Sequence, residues 1–199
     1  VNECRKCEEF GLVFQRDYKP EEFIEGSATA KVWVIGLNPA IDPAPEVSAL
    51  SEYFADSRML HPYFRNFAAV SMRLFEGFGK SDGTAHTDLV KCSSKAWPPP
   101  GISSTARRSI IRNCESYLVT QIQKYCPAMI VCNGTEVSAA LKRALPPPSD
   151  TPAHATSYFV QIRDRQICVV LSGFIGRIDN YAKRRLGREI EARLAELGL

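Results

Sequence analysis

Two cysteines separated by two residues, Cys4 and Cys7, can present both thiolates to one metal centre. Cys92 ends an expected strand and Cys114 lies near the start of an expected helix. Strand ends and helix beginnings share one edge of an α/β sheet, so the four can converge there. Four thiolates suit either a 4Fe–4S cluster or tetrahedral zinc. Cys126, just before Pro127, is an alternative to Cys114 as the fourth ligand. Cys132 and Cys168 lie in apolar runs, where a free cysteine acts as a small core residue. Seven cysteines is an odd number, and the N-terminus has no apolar stretch of the secretory kind. Both points argue against a disulfide framework and lead us to expect a cytoplasmic protein.

The elements that must position these groups alternate in type. Val32–Leu37, inside KVWVIGLNPA, is a continuous apolar run of the sort found in a strand covered on both faces. PEVSALSEYFA is expected to form a short helix. HPYFRNFAAVSMRLFEGFG has helical apolar spacing, with Pro62 in the first turn and Gly77 and Gly79 as stops. HTDLVKC is a second strand, and the prolines of SSKAWPPPGISST mark a loop. Ser103 or Ser104 caps a long helix to about Tyr125, and AMIVC is a third strand. Asn133 and Gly134 turn the chain into a helix that ends at Pro146–Pro148. SYFVQI and QICVVL flank the turn Arg163–Asp164–Arg165 as a hairpin. The closing helix interleaves Arg184, Arg185, Arg188 and Arg193 with Glu189, Glu191 and Glu196, a solvated face.

Alternating strands and helices predict one α/β domain over residues 1–199 with a mainly parallel sheet. Ligands bind beyond the C-terminal ends of such strands. That rule selects the loop after Leu37, the stretch from Asp88 to Cys92, and the turn after Cys132. The net charge of +3 permits a nucleic-acid partner without requiring one. No apolar run approaches the roughly 20 residues of a membrane-spanning helix, so no membrane partner is expected.

Several segments, in this order, resemble the uracil-DNA glycosylase superfamily and above all its iron–sulfur family 4: Cys4-Arg-Lys-Cys7, VWVIGLNPA, TDLVKC, the WPPP loop and IIRNCESYL. The similarity runs from the N-terminus to about Leu171. It implies a three-layer α/β/α fold and a structural 4Fe–4S cluster on Cys4, Cys7, Cys92 and Cys114, with zinc as the alternative. It also implies a monomer that hydrolyses the N-glycosidic bond of uracil, or another deaminated or damaged base, in DNA. Two departures stand out. Gly36-Leu37-Asn38-Pro39-Ala40 is similar to the GINPG motif of mismatch-specific glycosylases rather than the acidic GEAPG-like motif of family 4, and HPYFRNF is similar to their next segment. Where the superfamily usually carries a histidine–proline–serine-like motif, this chain reads Leu171-Ser172-Gly173-Phe174-Ile175-Gly176-Arg177. His61 and His86 belong to other segments and His154 lies upstream of the hairpin. A weakly active or inactive DNA-binding iron–sulfur protein of the same fold is therefore the alternative.

The resemblance carries roles to particular residues. Asn38 and Ser172 fall at the catalytic motifs. An asparagine is too weak a base to remove a proton early, but its amide oxygen can orient water onto a sugar with oxocarbenium character. Gly36 and Leu37 border the base, and either Tyr63 or Phe64 stacks on it. Asp88 stands where family 4 has an asparagine that reads uracil. An ionised aspartate only accepts hydrogen bonds, so a base preference different from simple uracil is expected. Phe174 and Ile175 sit where an apolar wedge enters DNA. Lys91, Lys95, Arg107, Arg108 and Arg177 are expected to contact phosphates.

Overall fold

Every residue of Val32–Gly36 is buried in the computed structural model, which describes residues 2–39, 62–78, 80 and 82–199. This strand, β3, lies inside a five-stranded sheet. With β4 (Thr84–Asp88), β5 (Met129–Cys132), β6 (Ser157–Ile162) and β7 (Arg165–Val170), the order is β4-β3-β5-β7-β6. The first four strands of that order run parallel, and β6 closes one edge antiparallel to β7. Helices α1 (Pro62–Ala68), α2 (Met72–Gly77), α3 (Ser104–Tyr125), α4 (Thr135–Ala144) and α5 (Asn180–Glu196) supply the outer layers.

Alternation along the strands sorts the core into two faces. Ile35, Ile130, Cys132, Ile167 and Val169 pack with Ile110, Leu118 and Ile122 of α3 and Val137 and Leu141 of α4. Val32, Val34, Met129, Val131, Cys168 and Val170 pack with Phe67 of α1, Leu74 of α2 and Leu186, Ile190 and Leu194 of α5. Both faces being covered explains why these strands read as unbroken apolar runs. The fold is the expected three-layer α/β/α arrangement.

Four local differences from the sequence reading have physical causes. The helical stretch after Pro62 is two helices, because Ser71 adopts extended backbone and its hydroxyl caps Leu74 N. Strand β4 stops at Asp88 instead of running to Cys92. Its partner β3 leads into Pro39, which has no N–H to extend the ladder. The hairpin turn is Arg163–Asp164, with Arg165 already paired to Ile162. The N-terminus forms a hairpin of β1 (Asn2–Cys7) and β2 (Leu12–Arg16), which the sequence reading missed although buried Leu12 and Phe14 alternate with exposed neighbours. The helix expected in PEVSALSEYFA, and His61, lie outside the described residues.

Helix α5 meets the α1–α2 junction at Gly187, where an added Cβ would lie 2.0 Å from Val70 O. Backbone cannot give way as a side chain can. Gly187→Ala is therefore expected to lose about 1–3 kcal/mol of stability by overpacking, read as a lower urea midpoint at unchanged slope.

Candidate active site

The C-terminal ends of β3, β4, β5 and β7 bring Gly36, Asp88, Asn133 and Ser172 to one edge of the sheet. Beyond β3 the chain is stitched to the segment after β4. Leu89 N donates to Gly36 O at 2.9 Å, Val90 N to Leu37 O at 2.8 Å, and Ser94 N to Pro39 O at 3.1 Å. Asn38 sits between these stitches, half-buried. Its Nδ2 donates to Ser94 Oγ at 2.7 Å and to Pro39 O at 3.1 Å. Ser94 Oγ in turn donates to Ala96 O at 2.9 Å, so toward Asn38 it can only accept. The direction of the amide is thereby set, with both N–H donors engaged and Oδ1 on the other side. Ser94 was not singled out from the sequence; a serine in a polar loop gives no signal until the fold brings it to Asn38.

Around Gly36 three polar groups converge. A Cβ there would lie 2.3 Å from Asp88 Oδ1 and 2.9 Å from both His86 Nε2 and Tyr63 Oη, so only glycine fits. Tyr63 Oη is 2.9 Å from His86 Nε2, while His86 Nδ1 bonds the Glu25 carboxylate. Asp88 is 3% exposed. Burial raises its carboxyl to about 6, Glu25 adds to the rise, and His86 and Lys91 oppose it. Glu25, His86 and Asp88 offer ligand atoms within 4.8 Å of one another. Both ring nitrogens of His86 are already engaged, Nδ1 by Glu25 and Nε2 by Tyr63, so the trio is not an open metal site. Glu25 and His86 were missed in the sequence because their pairing spans 61 positions.

The two aromatic candidates separate. Phe64 belongs to the core, with its ring 5.2 Å from that of Phe78. Tyr63 is half-buried at the rim, its ring 6.3 Å from that of Phe174 and tilted by 33°. The expected wedge pair is split as well. Phe174 is 41% exposed, but Ile175 is fully buried in the core under α5, and its N–H donates to Asn133 Oδ1 at 2.8 Å. Ile175 therefore anchors the loop and is not presented at the surface as a wedge would be. Ser172 shares its hydroxyl proton between Cys132 O and Gly173 O, at 2.7 and 2.8 Å. It ties the loop to β5, which engages the donor that a catalytic role would need.

Among the expected phosphate contacts, Lys91 is corrected. It is 2% exposed, its Nζ donates to Thr87 Oγ1 at 2.8 Å and Gln121 Oε1 at 2.7 Å, and burial pulls it down to about 7. Such a group holds β4 against α3 and is out of reach of a phosphate. Lys95, Arg108 and Arg177 are exposed, and Arg107 Nε lies 3.0 Å from Glu136 Oε1. Glu136 also accepts from Trp97 Nε1 at 2.9 Å, bracing the proline loop on α4.

The four cysteines come together between the N-terminal hairpin, the β4–α3 segment and α3. Cys7, Cys92 and Cys114 are buried in one core and Cys4 packs against it. Cys7 and Cys114 share a proton, which lowers Cys7 and raises Cys114, while burial pushes Cys92 up to about 12. Tyr117 Oη donates to Cys4 Sγ at 3.3 Å, and Asn113 Nδ2 approaches Cys7 Sγ at 3.5 Å while donating to Lys6 O at 2.8 Å. Cys126 caps the far end of α3 with φ 45°, its thiol on Gln123 O, and stands apart from this group. Cys132 and Cys168 are fully buried in the sheet.

A parallel sheet covered on both faces, with polar groups gathered at its carboxyl edge, defines an α/β protein built to bind at that edge. The chain belongs to the uracil DNA glycosylase superfamily, whose family model matches residues 23–178. Members of that superfamily are typically DNA glycosylases, hydrolases that act on DNA. No curated protein matches the chain. No helix among the described residues is long and apolar enough to cross a membrane.

Proposed function

We propose that this chain is a DNA glycosylase that hydrolyses the N-glycosidic bond of a deaminated base in DNA, with Asn38 orienting the water. The observation that carries this reading is the Asn38–Ser94–Ala96 file, which aims Asn38 Oδ1 away from its own loop. An acceptor fixed in this way holds a water for a sugar whose bond to the base is largely broken. It need not act as a base. Tyr63 borders the extruded base, Asp88 reads its edge, and Phe174 with Lys95, Arg108 and Arg177 meets the DNA.

Cys4, Cys7, Cys92 and Cys114 hold a structural 4Fe–4S cluster in this reading, as in family 4, while the first motif is of the mismatch type. The donor set fits. Hydrogen bonds to these sulfurs from Tyr117 and Asn113 suit a thiolate-bound group, and the resemblance to family 4 favours the cluster over zinc. Bound there, the cluster supplies a rigid brace.

The test uses uracil-, hypoxanthine- and xanthine-containing oligonucleotides, single- and double-stranded. Alkali-sensitive breaks are expected; a mobility shift without breaks would mark a binding protein of the same fold. Asp88 in its carboxyl form offers a donor and an acceptor, and ionised only acceptors. Asp88→Asn fixes the amide pattern. The variant is expected to raise the preference for uracil over hypoxanthine about tenfold, roughly 1.4 kcal/mol. An unchanged ratio removes Asp88 from base reading.

A further inference from the structure

We propose that Glu25, His86 and Tyr63 form a relay that presents a hydrogen-bond donor to the carbonyl oxygen of the departing base, with His86 setting the direction of the Tyr63 hydroxyl. The inference rests on the glycosylase reading and adds to it the group that meets the leaving base. The three residues come from the segment before β3, from β4 and from α1, and they meet only in the folded chain.

His86 is 4% exposed and both of its nitrogens are engaged. With a single ring proton, held at Nδ1 by Glu25, Nε2 is an acceptor and takes the Tyr63 proton. With both nitrogens protonated, Nε2–H donates to the Tyr63 oxygen and the hydroxyl proton turns to another acceptor. Asp88 Oδ1 is one such acceptor, since it converges with Tyr63 Oη beside Gly36. A base whose edge is read by Asp88 brings its carbonyl oxygen to the same place. That oxygen gains negative charge as the glycosidic bond breaks, so the donor is worth more in the transition state than before it.

The groups facing His86 favour the cation. Burial opposes it most strongly and Lys91 also opposes it, but Asp88 and Glu25 outweigh both and raise His86 above its ordinary value. Asn133 is 1% exposed; its Oδ1 accepts from Ile175 N, and its side chain also meets the Tyr63 hydroxyl. It restrains the wedge loop against the relay.

The experiment follows single-turnover base release from acid to alkaline pH in wild type, His86→Gln, His86→Phe, Tyr63→Phe and the His86→Phe/Tyr63→Phe double variant, with thermal melting as the folding control. Wild type is expected to slow as pH rises through the ionisation of His86. His86→Gln has no ring to ionise, whichever way its amide turns, so it should lose that dependence. His86→Phe and Tyr63→Phe should each fall about 10²- to 10³-fold. The double variant should fall no further than either, because both substitutions cut one path. Multiplied losses in the double variant, or a His86→Gln profile like that of wild type, overturn the relay. If His86→Phe does not fold, the His86→Gln profile decides alone. Wild type releasing no base from any oligonucleotide removes the glycosylase reading and the relay with it. An active wild type with an unaltered His86→Gln profile removes the relay only.

Discussion

Replacing Asn38 by alanine is expected to lower single-turnover base release by about 10²- to 10³-fold, the usual cost of deleting one preorganised polar group at a reacting centre. Binding of the oligonucleotide should change little, because a water-orienting amide acts after the base has been extruded. The loop itself should survive. Its backbone is held by Leu89, Val90 and Ser94 through main-chain bonds that do not involve the Asn38 side chain. Ser94→Ala separates orientation from presence. It removes the acceptor of one amide N–H, at 2.7 Å, and lets the amide turn. A partial loss is expected, between wild type and Asn38→Ala. Equal rates in wild type and Asn38→Ala would take the amide out of the chemistry.

Cys92→Ala carries the largest expected effect on stability. The proposed cluster would lose one of four thiolates in a core that also holds Cys7 and Cys114. A group bound a thousandfold above its dissociation constant adds about 4 kcal/mol to folding. At about 2–4 °C per kcal/mol for a chain of this size, its loss lowers the melting midpoint by about 8–16 °C. Iron content and visible absorbance should fall together with the midpoint. Bound zinc without colour in the wild type would replace the cluster and leave the fold standing. Cys168→Ala offers the comparison: it removes a buried thiol from the opposite face of the sheet to Cys7, Cys92 and Cys114, and should leave metal content unchanged.

The layers were legible because burial on both faces writes itself as unbroken apolar runs, and Val32–Gly36 and Met129–Cys132 are such runs. The start of α3 was legible from Ser103, whose hydroxyl accepts from Ala106 N. Side-chain direction beyond the regular elements was not. Phe174 and Ile175 are neighbours of like chemistry in sequence, yet one faces solvent and the other lies under α5. Lys91 reads as a surface cation until Thr87 and Gln121 are seen to enclose it. Glu25 and His86 carried no local signal, because the bond between them exists only through tertiary packing.

The stitched loops carry a further meaning. Cys92 lies on the strip of chain between Val90 and Ser94, and those two residues bond Leu37 and Pro39 on either side of Asn38. The sulfur site and the amide are thus two ends of one short mechanical linkage. In the proposed reading, a change at the Cys92 sulfur would slacken the strip and disturb Asn38 before the domain unfolds. Cys92→Ala should then cost base release as well as stability, while Cys168→Ala costs neither through this path.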